Sequence, residues 1–266
     1  MSVTYGMPLL IELDHLEETI ALCKALELDF IELNMNFPQY GLDQLKNTRY
    51  FKTLAEDHGI FYTMHLDENL NVSDFNPLVR EAYLETVMQT IELSKKIGVK
   101  ILNMHMHKGI YMTMPTHKVF MFEAYKAQYL ESIHTFKQKC IKAIGNSDLK
   151  IAIENTSGFA DFQKEALEIL LESDVFVLTW DIGHSNAYAK EDEAFIQSHL
   201  DKLMHFHFHD SCGTQDHMVL GTGEIDLLEK LSIVRQTKST CLIETKSVEA
   251  LKLSVEWLKK VLPSRF

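Results

Sequence analysis

The 266-residue chain lacks the marks of several large protein classes. It has no run of about eighteen consecutive apolar residues, so no segment reads as a membrane-spanning helix. Its first residues, MSVTYGMPLLIELD, show no basic stretch followed by a continuous apolar one, and no secretory leader is expected. Cysteine is scarce and dispersed: Cys23, Cys140, Cys212 and Cys241 form no Cys-x-x-Cys pair, which argues against a disulfide framework and a thiolate zinc site. A reducing cytoplasmic location is the expectation. The Gly-x-Gly-x-x-Gly motif of dinucleotide-binding sheets does not follow the first strand candidate. Positive charge is also short, and the net charge of −12 opposes long-range attraction to nucleic acid or an anionic membrane.

What the chain does have is alternation. A hydrophobic content of 46% is enough for a full core. Short β-rich runs are expected at 8–13, 29–34, 60–65, 99–106, 149–154, 175–181, 202–208 and 240–245. Between them lie stretches with apolar residues at helical spacing, such as LEETIALCKAL, VREAYLETVMQTIELSKKIG, VFMFEAYKAQYLESIHTFKQKCIKAIG and VEALKLSVEWLKKVL. Gly59, Gly98 and Gly145 each follow such a stretch and precede the next strand, as helix terminators do. Eight β-then-α units with no linker predict an α/β fold, a (β/α)8 TIM barrel forming one domain over 1–266. A doubly wound open sheet is the second choice.

In such a barrel the chemistry gathers at the C-terminal ends of the strands. The predicted ends carry Glu12, Glu32 or Asn34, His65, His105 and His107, Glu154, Asp181, His207 and Glu244. Unpartnered burial of so many ionisable groups would be severely unfavourable, and one cation would satisfy most of them. The stretch HFHFHDSCGTQDH at 205–217 belongs to this set. Strand alternation puts His205, His207 and His209 on one face and Phe206 and Phe208 on the other. His207 is best placed for a cation, with His205 deeper and His209 at the rim.

On these residues the chain resembles the xylose isomerase-like barrel superfamily, which holds sugar and sugar-phosphate isomerases and epimerases beside endonuclease-IV-like enzymes. The resemblance runs from His65 to Glu244. It is carried by MHLDENLN after the third strand, HKG at 107–109, IAIENTSG at 151–158, WDIGHSNAY at 180–188, HFHD at 207–210 with DHMVLGTGEID at 216–226, and CLIET at 241–245. It implies that Glu154, Asp181, His207 and Glu244 bind a divalent cation, with His65, His107, His184 and His217 lining the same mouth. Three carboxylates and an imidazole suit manganese, cobalt or magnesium, and zinc also accepts the histidine. A cytoplasmic isomerase or epimerase of a small sugar or sugar phosphate follows, with Glu154 and Glu244 as the acid/base pair. His184 is expected to meet a substrate hydroxyl or a second ion, and the glycines of LGTGEID to let backbone approach the substrate. An oligomer is compatible with all of this.

The rival is a metal-dependent phosphodiesterase of the AP endonuclease 2 type, holding two or three zinc ions and cutting abasic DNA. The resemblance supplies ligands for it at His65, His107, Glu154, Asp181, His184, His207, His217 and Glu244. Its Asp-x-His pattern is displaced here, because Asp216 directly precedes His217. Cations are also scarce in the predicted mouth loops, where only Lys108, Lys118, Lys190 and Lys246 are found. DNA binding would need more of them. A non-catalytic sugar-binding barrel would leave the carboxylate and histidine set without a purpose. The loop 108–118, KGIYMTMPTHK, fits surface packing better than a lid.

Overall fold

The computed structural model describes residues 3–188 and 190–263. Eight parallel strands close a barrel: β1 (Thr4–Pro8), β2 (Phe30–Asn34), β3 (Phe61–His65), β4 (Ile101–His105), β5 (Lys150–Glu154), β6 (Phe176–Asp181), β7 (Leu203–Phe208) and β8 (Thr240–Ile243). Each strand pairs with its neighbour in sequence, and β1 closes the ring on β8. The principal outer helices are α1 (Leu16–Ala25), α2 (Thr48–His58), α3 (Pro77–Ile97), α4 (Lys126–Ile144), α5 (Asp161–Leu171), α6 (Glu193–Ser198), α7 (Leu227–Thr237) and α8 (Val248–Val261). The protein is a single-domain (β/α)8 TIM barrel. Among the described residues no helix is long and apolar enough to cross a membrane.

Period-two alternation divides each strand between two environments. Outward residues such as Met7, Ile31, Tyr62, Leu102, Ile153, Trp180, Phe206 and Cys241 are buried under the helices in the main core. Inward residues change character along the barrel axis. At the N-terminal end Phe30 stacks on Phe61 with ring centroids 5.1 Å apart, and Ile101, Ala152 and Val177 form a small apolar cluster of their own. One step up stand Thr63, Asn103, Thr179 and His205, and above them the ionisable strand ends. The barrel thus has an apolar floor and a polar mouth.

Two expectations are corrected. The first strand is Thr4–Pro8, not 8–13, so Glu12 is no strand end. The glycine that weakens the strand signal is demanded by the interior, since a Cβ at Gly6 would fall 2.3 Å from the Phe30 ring. The apolar run after Pro8 is a turn in which Ile11 is 80% exposed, and the Glu12 carboxylate accepts the Val248 amide at the start of α8. In the second, the helical pattern expected from 119 to 145 begins instead as a strand. Residues 118–120 pair antiparallel with 111–113, converting the long loop into an exposed hairpin ahead of α4.

Candidate metal centre

At the barrel's C-terminal mouth a cleft of about 290 Å³ opens above β2, β3, β5 and β8. Against two of its lining residues lies His207 Nδ1, 2.9 Å from Glu244 Oε2 and 3.3 Å from Glu154 Oε1, with Asp181 Oδ2 at 3.9 Å. Four strand ends therefore present one nitrogen and three carboxylates to a common point. Both ring nitrogens of His207 and Glu244 Oε2 are buried, and none of the three makes a well-aligned hydrogen bond despite the close approaches. Buried polar atoms are rarely left so, and a divalent cation is the group this hard, anionic donor set fits.

The electrostatics point the same way. Burial alone would raise the Glu154 and Glu244 carboxyls, but the charge of His207 leads the effects that hold both well below the usual range. His105 and His184 add to this at Glu154, and Lys246 and His217 at Glu244. Burial would lower His207, yet Glu154, Glu244 and Glu32 push it well above its ordinary value. Without a cation the site attracts a proton to the same place.

A ring of histidines encloses the centre. His65 Nε2 and His105 Nε2 each lie 3.3 Å from Glu154 Oε2, which also accepts the Asn103 amide. His184 Nδ1 is 3.1 Å from Asp181 Oδ2 and 3.5 Å from Glu154 Oε1. On the far side His217 Nε2 lies 3.3 Å from Glu244 Oε1, and Asp216 sits between His217 (2.8 Å) and His184 (3.8 Å). The sets His65/His105/Glu154 and His184/Asp216/His217 each place their ligand atoms within 4.8 Å of one another, close enough to hold an ion.

Of the residues expected at the mouth, His65, Glu154, Asp181, His184, His207, Asp216, His217 and Glu244 are brought together. His107 is not. The strand β4 ends at His105, whose inward position carries it to Glu154. His107 lies past that end and lines a neighbouring cavity with Ser73 and Tyr129, where its Nε2 has no partner. Lys108 is not among the residues lining the cleft, and its Nζ donates to the Ser157 carbonyl at 2.7 Å.

Three residues outside the set implied by the resemblance take supporting roles. His209 accepts the His217 amide at Nδ1 (2.8 Å), which leaves its proton on Nε2 to donate to Asp181 Oδ1 at 3.0 Å. Gly183 makes room for this ring, because a Cβ there would lie 1.9 Å from His209 Cε1. His217 supplies its amide from a short strand, 215–218, in which its own backbone is left-handed at φ 52°, and stacks on His209 at 4.3 Å. Asp210 is buried and accepts the amides of Ser211, Gly221, Gly223 and Ile225 at 2.8–3.2 Å. The glycines of LGTGEI thus approach the Asp210 carboxylate: a Cβ on Gly223 would fall 2.4 Å from Asp210 Oδ1. Glu32, the third, is buried beneath His207, its Oε1 3.1 Å from the ring's Nε2.

The carboxylates and imidazoles thus converge at the C-terminal mouth of a closed parallel barrel, the face at which barrels of this kind carry their active sites. The chain belongs to the xylose isomerase-like TIM barrel family, whose pattern matches residues 20–261. An uncharacterized protein of Methanocaldococcus jannaschii, MJ1614, is 27% identical over 250 residues, covering 88% of this chain and 92% of the relative. Among solved structures, a D-tagatose 3-epimerase-like protein is similar with a TM-score of 0.78 at 21% identity, covering 100% of this chain and 98% of that one. The IolI protein, solved with a bound zinc atom, has a TM-score of 0.73 at 17% identity, covering 100% and 99%.

Proposed function

We propose that the protein is a divalent-metal-dependent epimerase or isomerase of a small, unphosphorylated keto sugar. One observation carries the reading: three carboxylates from different strands converge on the unpartnered Nδ1 of His207. Glu154, Asp181, His207 and Glu244 hold the cation, and a structural neighbour solved with a bound zinc atom supports a metal in this fold. When bound, the cation supplies Lewis-acid polarisation of a substrate carbonyl.

The chain's own residues then manage a proton. Glu154 and Glu244 approach the centre from β5 and from the end of β8, each with a free-standing set of partners. Glu154 is steadied by His65, His105 and Asn103, and Glu244 by His217 and Lys246. One carboxylate removes the proton beside the carbonyl, and the other returns one to the same carbon from the opposite face or to its neighbour. His184 and His217, partly exposed at the rim, are positioned to bind sugar hydroxyls. A structural neighbour described as D-tagatose 3-epimerase-like supports the substrate class.

Charge argues for a free sugar. Lys246 is the one cationic Lys or Arg among the described residues lining the cleft, and Glu244 already engages it at 2.8 Å. Glu32, Glu68, Glu154 and Glu244 line the same space, so a phosphate dianion would meet unfavourable potential.

A zinc-cluster phosphodiesterase is the second reading, favoured by the extra ligand groups His65/His105/Glu154 and His184/Asp216/His217. The scarcity of cations at the cleft opposes it. Protein reconstituted with manganese, cobalt or zinc should be assayed against free ketoses, their phosphate esters and an abasic-site oligonucleotide. Interconversion of a free ketose, with the esters turned over at least tenfold less efficiently, is the expected result. Cleavage of the oligonucleotide without sugar turnover would replace this reading with the second.

A further inference from the structure

The interior of the barrel below the metal centre holds a carboxylate with no evident place in the reaction. Glu32 is 3% exposed and sits on β2, separated from β7 in the sheet by β1 and β8. Its contacts with β7 therefore run across the barrel lumen. Glu32 Oε1 lies 3.1 Å from His207 Nε2, and Oε2 lies 3.2 Å from His205 Nε2 while accepting the Thr63 hydroxyl at 2.8 Å. His205 is braced in turn, its Nδ1 2.6 Å from the Thr240 hydroxyl.

A neutral imidazole carries a single ring proton, and which nitrogen holds it is decided by what each nitrogen faces. Each ring nitrogen of His207 lies within 3.1 Å of a carboxylate oxygen without a well-aligned hydrogen bond, Nε2 near the single carboxylate of Glu32 and Nδ1 near the cluster of Glu154, Asp181 and Glu244, where a cation would bring its own positive charge. We propose that Glu32, seated by Thr63 and His205, is a positioning residue that keeps the His207 proton on Nε2 and so offers Nδ1 as a lone pair to the cation. This rests on the reading that Glu154, Asp181, His207 and Glu244 hold a metal. It explains the histidine at 205, one strand step below the ligand, as a brace for the carboxylate behind that ligand.

The test is cobalt binding followed by visible absorption, with the full-length protein and the variants Glu32→Gln and Glu32→Asp. Losing an outer carboxylate behind a metal-bound histidine weakens metal binding roughly 10–100-fold. Glu32→Gln should show that loss with an altered cobalt spectrum, because its single oxygen cannot serve both imidazoles and Thr63. Glu32→Asp should recover part of the affinity. Nitrogen-15 NMR of the histidine rings in the zinc-loaded wild type should show His207 protonated at Nε2 and metallated at Nδ1. Wild-type affinity and spectrum in Glu32→Gln would overturn the proposal. If that variant fails to fold, a wild-type His207 metallated at Nε2 would overturn it equally. Failure of the wild type to bind cobalt would instead refute the metal reading itself, and the proposal with it.

Discussion

At His207 a proton and a cation compete for one atom, and the surrounding histidines show how strongly the empty charge pattern attracts protons. Burial works against the charged forms of His65 and His184. Even so, the Glu154 carboxylate pushes His65 up to about 9, and Asp181 with Glu154 pushes His184 up to about 10. A folded-state value above the unfolded one contributes stability that is complete below the unfolded value, about 6.5, and is lost as pH rises through the folded value. Chelator-treated protein should therefore lose several degrees of Tm between about pH 6.5 and 10, read by thermal melts across that window. A Tm that stays flat or climbs would contradict the assignment. Cation affinity should move the other way and strengthen with pH, because the metal must displace the proton. Glu154→Gln should keep the fold but lose about 10²–10⁴ in kcat, as expected for removal of an acid/base group. Turnover within tenfold of the parent would remove Glu154 from that role. Most of these residues were legible in the sequence because strand alternation places Glu154, Asp181 and His207 at inward strand ends. His105 and His107 were not separable that way. They share a face in an extended chain, and only the end of β4 at His105 decides which one points inward.

Elements hold these side chains in place through close approaches that leave no visible pattern in sequence. The short helix 182–187 starts directly at Asp181, whose Oδ1 accepts the His184 amide at 2.7 Å, and its Gly183 carries the His209 ring overhead. Gly183→Ala should force His209 off Asp181, costing about 1–3 kcal/mol of stability through overpacking and weakening metal binding along with it. Equal metal affinity in parent and variant would show that His209 does not orient Asp181. The 210–225 segment is organised from inside by Asp210. Asp210→Ala would strand four amides, and a cost of about 3 kcal/mol is expected in denaturant unfolding. A change below about 1 kcal/mol would mean that the loop holds itself. The same blindness to close approach explains why β1 lies four residues earlier than its apolar content indicates. Gly6 is read as a weak strand residue until Phe30 is seen filling its space.

Across the whole molecule, an apolar floor of Phe30, Phe61, Ile101, Ala152 and Val177 closes the barrel and a polar mouth opens it, so that chemistry and stability occupy opposite ends. The eight-fold alternation made this architecture legible, since each strand is short, apolar and followed by an amphipathic helix. What the alternation did not carry was contact across the lumen, by which Glu32 on β2 reaches His205 and His207 on β7. The central claim is metal-assisted proton transfer at that cleft, and solvent deuterium exchange tests it most directly. Metal-loaded protein and chelator-treated protein would each be incubated in deuterium oxide with a panel of free ketohexoses and ketopentoses, and the carbons beside the carbonyl followed by NMR. The account predicts deuterium entering at one such carbon of at least one ketose, dependent on the cation and abolished in both Glu154→Gln and Glu244→Gln. Exchange that proceeds without metal, or survives both substitutions, would contradict it.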